Sequence, residues 1–304
     1  MRIVFMGTPD FAVASLDILV QNGYNIVGVI TSTDKYGGRG NKKLIESAVK
    51  KYAVEKGLRI LQPKNLKAPE FVEELRSLNA TVQIVVAFRM LPEIVWNMPP
   101  QGTINLHGSL LPKYRGAAPI NWAVMNGDTE TGVTSFKLQH AIDTGDMIFQ
   151  EKMPIGPDET VGEVHDRMMQ LGAKVVLKTV QAVEKNDFNL LPQDASLVSK
   201  APKIHTETCK INFDAPCDTV HNFVRGLSPY PAAWTKLNDL KLKIFKTQKE
   251  KAVHNIPIGS FVSDNKSYYK IAVQDGFIHI LELQLQGKKR MDIRSFLNGF
   301  SFER

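Results

Sequence analysis

Short apolar runs alternate with helix-period segments through the first three-fifths of the chain, and this alternation constrains the fold more than any other feature. Ile3-Val4-Phe5 is an apolar trio followed by Gly7-Thr8-Pro9-Asp10, which predicts a strand, a turn with Thr8 as helix cap, and Pro9 in the first helical turn. The helix that follows places Phe11, Ala14, Ile18 and Leu19 on one face and stops near Gly23, before a strand from Ile26 to Ile30. The pattern continues with a helix from Leu44 to Glu55, a strand at Arg59-Ile60-Leu61, a helix from Glu70 to Leu78, and strands at Ile84-Val85-Val86 and Thr103-Ile104-Asn105. Helices near Ile120 to Met125 and from Val161 onward complete the series. Uninterrupted apolar strands are those buried on both faces by crossover helices, so the expectation is an α/β fold with a Rossmann-like, doubly wound, mostly parallel sheet.

The period then changes. Residues 188–204 mix polar residues with proline and read as a linker, which makes 1–187 one unit and 205–304 another. Beyond the linker come strand-like segments at Lys241 to Phe245, Ile258 to Val262, Tyr268 to Val273 and Phe277 to Leu283, with turn signals at Asp264-Asn265 and Asp275-Gly276. A small OB-like β-barrel is the expected closure. Two units suit a chain of 304 residues, which is long enough to bury a core without disulfides or structural metal.

Composition excludes intrinsic disorder, with 43% hydrophobic and 23% charged residues. The net charge of +7 falls mostly beyond His205, where 15 Lys+Arg face 10 Asp+Glu, so a polyanionic partner would meet the last third first. Cys209 and Cys217 have no CxxC or Cys/His company, which points to a reducing, cytoplasmic setting rather than to metal or a disulfide scaffold. No run is long enough for a signal-peptide core or a membrane span.

Phosphate-binding signals are weak. No GxGxxG follows the first strand, and Gly37-Gly38-Arg39-Gly40 lacks the Gly-Lys-Ser/Thr that ends a P-loop. The stretch Asn105-Leu106-His107-Gly108-Ser109-Leu110-Leu111-Pro112 is more informative. It sets an amide and an imidazole two residues apart as a buried strand ends, so both project from one face toward the carboxyl edge where open α/β sheets hold ligands. Asn donates well to a developing oxyanion, and His moves protons near neutral pH. Asp143, in the turn-rich Ala141-Ile142-Asp143-Thr144-Gly145-Asp146, can reach the same edge and orient the imidazole. Structural roles stay open for each residue: a turn-former, a satisfied core histidine and an Asx turn.

The string from His107 to Pro119, with Asn105 before it and Asp143-Thr144-Gly145-Asp146 after it, resembles the folate-dependent formyltransferases. Met6-Gly7-Thr8-Pro9-Asp10-Phe11 and Gly38-Arg39-Gly40-Asn41-Lys42-Lys43 are similar to the branch of that family acting on methionyl-tRNA. So are Val224 to Trp234 and Gly287-Lys288-Lys289, in an OB-like C-terminal domain. The resemblance implies a catalytic domain at 1–187 and a tRNA-binding domain at 205–304. It implies transfer of a formyl group from 10-formyltetrahydrofolate to the α-amine of methionyl-initiator tRNA, releasing tetrahydrofolate, with no metal, no membrane and a monomeric state. Its catalytic residues fall on Asn105, His107 and Asp143. Amine attack on a formyl carbon builds an oxyanion that Asn105 and a protonated His107 would stabilise, while Asp143 holds His107 and helps pass the proton on.

By the same resemblance the folate pocket takes Phe88, Met90, Leu91, Ser109, Leu110, Leu111, Pro112, Ala141 and Ile142. The loop from Asp34 to Lys43 meets the acceptor stem through Arg39, Lys42 and Lys43, and Lys236, Lys241, Lys243, Lys246, Lys249 and Lys251 add phosphate attraction. The chain departs from the family at three places. Phe88-Arg89 stands where Tyr-Gly is usual, Ala141 where a glycine is common, and Lys35-Tyr36-Gly37 where a proline often sits. The first two bear on pocket shape. The rival reading is a formyltransferase acting on a nucleotide-linked amino sugar, disfavoured by Gly7-Thr8-Pro9 and Gly38-Arg39-Gly40. A non-catalytic RNA-binding protein is disfavoured by the intact Asn105, His107 and Asp143.

Overall fold

The computed structural model describes residues 1–37, 40 and 43–299. They form two compact units, one of residues 1–116, 132–153 and 165–200, the other built on 117–131, 154–164 and 201 onward.

The first unit holds a seven-stranded sheet in the order Met147–Pro154, Glu130–Lys137, Thr103–His107, Val82–Val86, Arg2–Gly7, Asn25–Ile30, Ile60–Leu61. The last five strands are mutually parallel, and Glu130–Lys137 runs antiparallel to Thr103–His107. Glu130–Lys137 is not announced by an apolar run in the sequence. The chain moves outward from Arg2–Gly7 in one direction and then in the other. That reversal falls between Arg2–Gly7 and Val82–Val86, the switch point where such sheets open a crevice at their carboxyl ends.

Burial on both faces explains the apolar strands. Val4, Met6 and Val85 pack with Phe71, Val72 and Leu75 of the helix Pro69–Ser77, while the alternating Ile3, Phe5 and Ile84 are buried as well. Three local expectations are corrected. Pro9, not Thr8, occupies the cap of the first helix, Asp10–Gln21, where the Asp10 carboxylate accepts from Phe11 N–H at 3.0 Å. The buried face of that helix is Phe11, Ala12, Ser15, Leu16 and Leu19, with Ala14 and Ile18 at its half-buried margin. The second helix starts at Ala48 rather than Leu44, because Ser47 caps it by accepting from Lys50 N–H, and Leu44 belongs to a short hairpin, Lys35–Gly37 with Lys43–Ile45.

In the second unit Ala233–Leu237, Leu240–Lys251, Gly276–Leu285, Tyr269–Val273 and Phe261–Ser263 pair in that order, with Met291–Asp292 on Gly276–Leu285, all antiparallel. One face of this sheet is buried on the helix Cys217–Leu227 through Val220, Val224, Leu227, Leu242, Ile244 and Ile280. The turn at Asp275-Gly276 needs a glycine: its φ is 152°, and a Cβ there would stand 2.0 Å from the Glu250 carbonyl oxygen.

Candidate active site at the carboxyl edge of the parallel sheet

Asn105 and His107 lie on the strand Thr103–His107, opposite Phe136 and Thr134 of the antiparallel neighbour. Two-residue spacing puts them on one face at the carboxyl end of the sheet. The half-buried Asn105 carboxamide makes no hydrogen bond to any other described residue. Its donors and acceptor are therefore open to a ligand.

His107 is 7% exposed at its side chain, and its Nε2 stands 2.8 Å from the Tyr114 carbonyl oxygen. A carbonyl only accepts, so Nε2 carries the proton and Nδ1 of the neutral ring carries the lone pair. That Nδ1 faces Asp143 Oδ2 at 3.8 Å, and the Asp143 side chain is 12% exposed. The imidazole is thus oriented first by the Tyr114 carbonyl, a partner the sequence does not reveal. Asp143 stands beyond hydrogen-bond reach, in position to receive an imidazolium charge.

Backbone strain gathers at the same edge. Ala87, Tyr114 and Asp143 have φ of 48°, 61° and 55°, left-handed values that cost free energy for residues with a Cβ. Asp143 and Tyr114 are held from outside. Asp143 Oδ2 accepts Gly116 N–H at 2.9 Å, and Tyr114 N–H donates to Ser199 Oγ at 2.9 Å. Gln193 Nε2 donates to the carbonyls of Asp143 and Gly145, while Gln193 Oε1 accepts two bonds from the Arg115 guanidinium. Gly145 is required by close approach: a Cβ there would sit 1.6 Å from the Lys137 carbonyl oxygen.

The loop after His107 hangs on Thr134. Its hydroxyl donates to the Ser109 carbonyl and accepts from Leu111 N–H and Gln150 Nε2. Ser109 is fully buried and its hydroxyl donates to the Lys113 carbonyl, which makes its side chain part of the loop's own scaffold. Leu91, Leu111 and Pro112 are buried, Phe88 and Leu110 half-buried, and Met90, Ala141 and Ile142 exposed. Arg89 closes the neighbouring turn by donating to the carbonyls of Pro63 and Lys64. Lys43 is exposed at the start of its short strand, and Arg39 and Lys42 lie outside the described residues. Sequence reasoning missed Tyr114, Gly116, Thr134, Gln150 and Gln193. Gln193 sits in the aperiodic stretch read as a linker, where no pattern marks it.

No group of three or more His, Cys, Asp or Glu suited to a metal occurs among the described residues. No helix among them is long and apolar enough to cross a membrane.

The family pattern described as Formyl transferase matches residues 1–180, and that described as Formyl transferase, C-terminal domain matches 203–301. The chain is 56% identical over 310 residues to the methionyl-tRNA formyltransferase of Parabacteroides distasonis, covering 99% of this chain and 96% of that protein. It is 50% identical over 307 residues to the methionyl-tRNA formyltransferase of Flavobacterium johnsoniae, covering 99% and 97%. Among solved structures, an N-formyltransferase from Helicobacter canadensis, in complex with folinic acid and dTDP-3-aminofucose, shares the fold at TM-score 0.70 and 23% identity, covering 92% of this chain and 98% of that one. The methionyl-tRNA formyltransferase from Clostridium thermocellum does so at TM-score 0.57 and 16% identity, covering 82% and 94%. Matched over most of its length by the two family patterns and over 99% of it by a full-length relative, this chain belongs to the formyl transferase family.

Proposed function

We propose that this chain transfers the formyl group of 10-formyltetrahydrofolate to the α-amine of methionine on initiator tRNA, leaving N-formylmethionyl-tRNA and tetrahydrofolate. The observation that carries the reading is the gathering of Asn105, His107 and Asp143 at one sheet edge, in a chain matching end to end proteins named for that reaction. The folate supplies a formyl group already activated on nitrogen, so the protein's task is to position and stabilise. The residues present fit such a donor: an unengaged Asn105 carboxamide, two largely shielded titratable groups, and exposed apolar Met90 and Ile142 on the flanking loops.

Asn105 donates its carboxamide N–H where negative charge develops on the formyl oxygen. His107, anchored through Nε2–H, holds a proton at Nδ1, and Asp143 stabilises the resulting imidazolium. Asp143, itself fixed by Gly116 N–H, then helps carry the proton released by the amine toward the leaving nitrogen. Phe88, Met90, Leu91, Ser109, Leu110, Leu111, Pro112, Ala141 and Ile142 belong to the segments that form the folate pocket, mostly through main-chain groups. Residues 1–187 act as the catalytic domain and 205–304 grip tRNA, with Arg39, Lys42 and Lys43 meeting the acceptor stem. Buried Cys209 and Cys217, free of any disulfide, suit work in a reducing cytoplasm, and the enzyme acts as a monomer.

The test is an assay with 10-formyltetrahydrofolate and methionyl-initiator tRNA beside a UDP-amino-sugar control. Formylmethionyl-tRNA is the expected product. A formylated sugar with untouched tRNA would overturn the reading.

A further inference from the structure

The hairpin Lys35–Gly37 with Lys43–Ile45 has almost no core of its own. Its register pairs Lys35 with Ile45, Tyr36 with Leu44 and Gly37 with Lys43, and its apolar side chains Tyr36, Leu44 and Ile45 are 71%, 46% and 52% exposed. A two-stranded ribbon of this length is marginal in water, so its direction must be set where it joins the domain.

Two side-chain ties close that junction. Thr31 and Ser47, on the incoming and outgoing chains, join their hydroxyls at 2.7 Å. Asp34 immediately precedes the ribbon and Glu46 immediately follows it, and the Lys50 ammonium bonds both carboxylates, Glu46 at 2.8 Å. Gln62 Nε2 adds bonds to Asp34 Oδ1 and the Ser32 carbonyl at 2.8 and 2.7 Å. Lys50 itself stands on the first turn of the helix Ala48–Glu55, a rigid element whose Val49 and Ala53 are fully buried. The Lys50 bond holds the Asp34 carboxyl below its usual range, and Asp34 with Glu46 holds the Lys50 ammonium above its own. Both side chains are largely shielded from water, which strengthens the pairing relative to an exposed one.

We infer that Lys50 is a positioning residue for tRNA engagement: by clasping Asp34 and Glu46 it closes the base of the hairpin Lys35–Gly37 with Lys43–Ile45 and fixes the placement of the exposed Lys43, which the proposed function sets against the acceptor stem. The inference rests on the proposed reaction for its kinetic consequence, while the clasp itself can be read without tRNA.

The experiment compares wild type, Lys50→Met, Lys50→Arg and Glu46→Gln. Lys50→Met is expected to lower kcat/KM for methionyl-tRNA about tenfold or more, with KM for 10-formyltetrahydrofolate within about twofold of wild type. Lys50→Arg recovers most of the loss, because a second cation restores the two bonds. In the absence of tRNA, tryptic cleavage within residues 35–43 accelerates roughly fivefold or more in Lys50→Met and returns toward wild type in Lys50→Arg. Should Lys50→Met fail to fold, Glu46→Gln, which loosens one tie only, is expected to move both readouts in the same direction by less. Unchanged cleavage together with unchanged kcat/KM for methionyl-tRNA, or equal losses toward both substrates, overturns the clasp. A wild-type protein that does not formylate methionyl-tRNA defeats the proposed reaction instead, and the proteolysis comparison then decides the clasp alone.

Discussion

His107 Nδ1 stands 3.8 Å from Asp143 Oδ2, and that same oxygen accepts the backbone N–H of Gly116 at 2.9 Å. The carboxylate is therefore held by the main chain before the imidazole needs it, and the imidazole is held from its far side by the Tyr114 carbonyl. Preorganisation of this kind predicts large kinetic effects with small effects on folding. Asn105→Ala and His107→Ala are each expected to lower kcat about 100-fold to 1,000-fold. Asp143→Asn, which keeps the shape and removes the charge, should fall in the range of about 100-fold to 10,000-fold. Single-turnover formyl transfer together with thermal melts reads both quantities, and near-normal turnover in any of the three would remove that residue from the mechanism.

Gln193 lies 50 residues from Asp143 in sequence, yet its amide bonds the Asp143 and Gly145 carbonyls and accepts the Arg115 guanidinium. Truncation to alanine frees a strained loop without touching the reacting groups. Gln193→Ala is expected to lower kcat about tenfold to a hundredfold, since small displacements of aligned groups are costly. Full activity in that variant would show that the Asp143 loop holds its shape unaided.

Gly145 faces the Lys137 carbonyl so closely that a methyl group has no room. Gly145→Ala must push the Asp143 loop away from the strand Glu130–Lys137, at a cost of roughly 1–3 kcal/mol or more. A fall in Tm of about 3–10 °C is expected, with a parallel loss of activity. An unchanged melt would mean that the loop moves freely.

Asp218, in the first turn of the helix Cys217–Leu227, bonds Lys249 at 2.6 Å and Lys251 at 2.9 Å, and these partners lower its pKa from 3.8 to about 2. A carboxyl depressed in the folded state contributes stability that is fully present above its unfolded pKa and is lost as pH falls through the folded value. The difference in Tm between wild type and Asp218→Asn should therefore be constant from about pH 5 upward and shrink between about pH 4 and 2. A difference that persists undiminished at pH 2 would contradict the assigned ion pairs.

Asp218 also sorts the basic residues of the second unit. Lys249 and Lys251 share its single charge, with Asp275 also 3.9 Å from Lys251, whereas Lys243 and Lys246 have no carboxylate partner among the described residues. Affinity for methionyl-tRNA is expected to fall as salt rises, because phosphate contacts release counterions. Lys243→Ala and Lys246→Ala should each reduce the log–log salt slope by up to about 1, and Lys249→Ala and Lys251→Ala by less. A salt-independent affinity, or equal effects at all four lysines, would refute this assignment.

The expectations that held have a local physical origin. Ile84-Val85-Val86 reads as a buried parallel strand because helices cover both of its faces, and Asn105 and His107 share a face because strand side chains alternate. Those that failed turn on short-range competition. Leu44 has the apolar character of a helix residue but pairs across a hairpin with Tyr36, since the stronger cap at Ser47 fixes where the helix begins. The strands Glu130–Lys137 and Met147–Pro154 carry threonine, glutamate and lysine among their apolar residues, so the antiparallel pairing of the first with Thr103–His107 and the edge position of the second leave no periodic mark in the sequence.

Periodicity and residue type in the chain alone determined the alternating βα architecture and the amide and imidazole that share one strand face, while only the family resemblance singled those two out as a site. Only the tertiary structure decided which nitrogen of His107 is tied down, how far Asp143 stands from the other, and that Gln193, Thr134 and Lys50 hold the surrounding loops. The reason is physical: strand and helix periods are set by neighbours along the backbone. A hydrogen bond to a carbonyl dozens of residues away exists only once the chain has closed upon itself, and it leaves no periodic trace in the order of the amino acids.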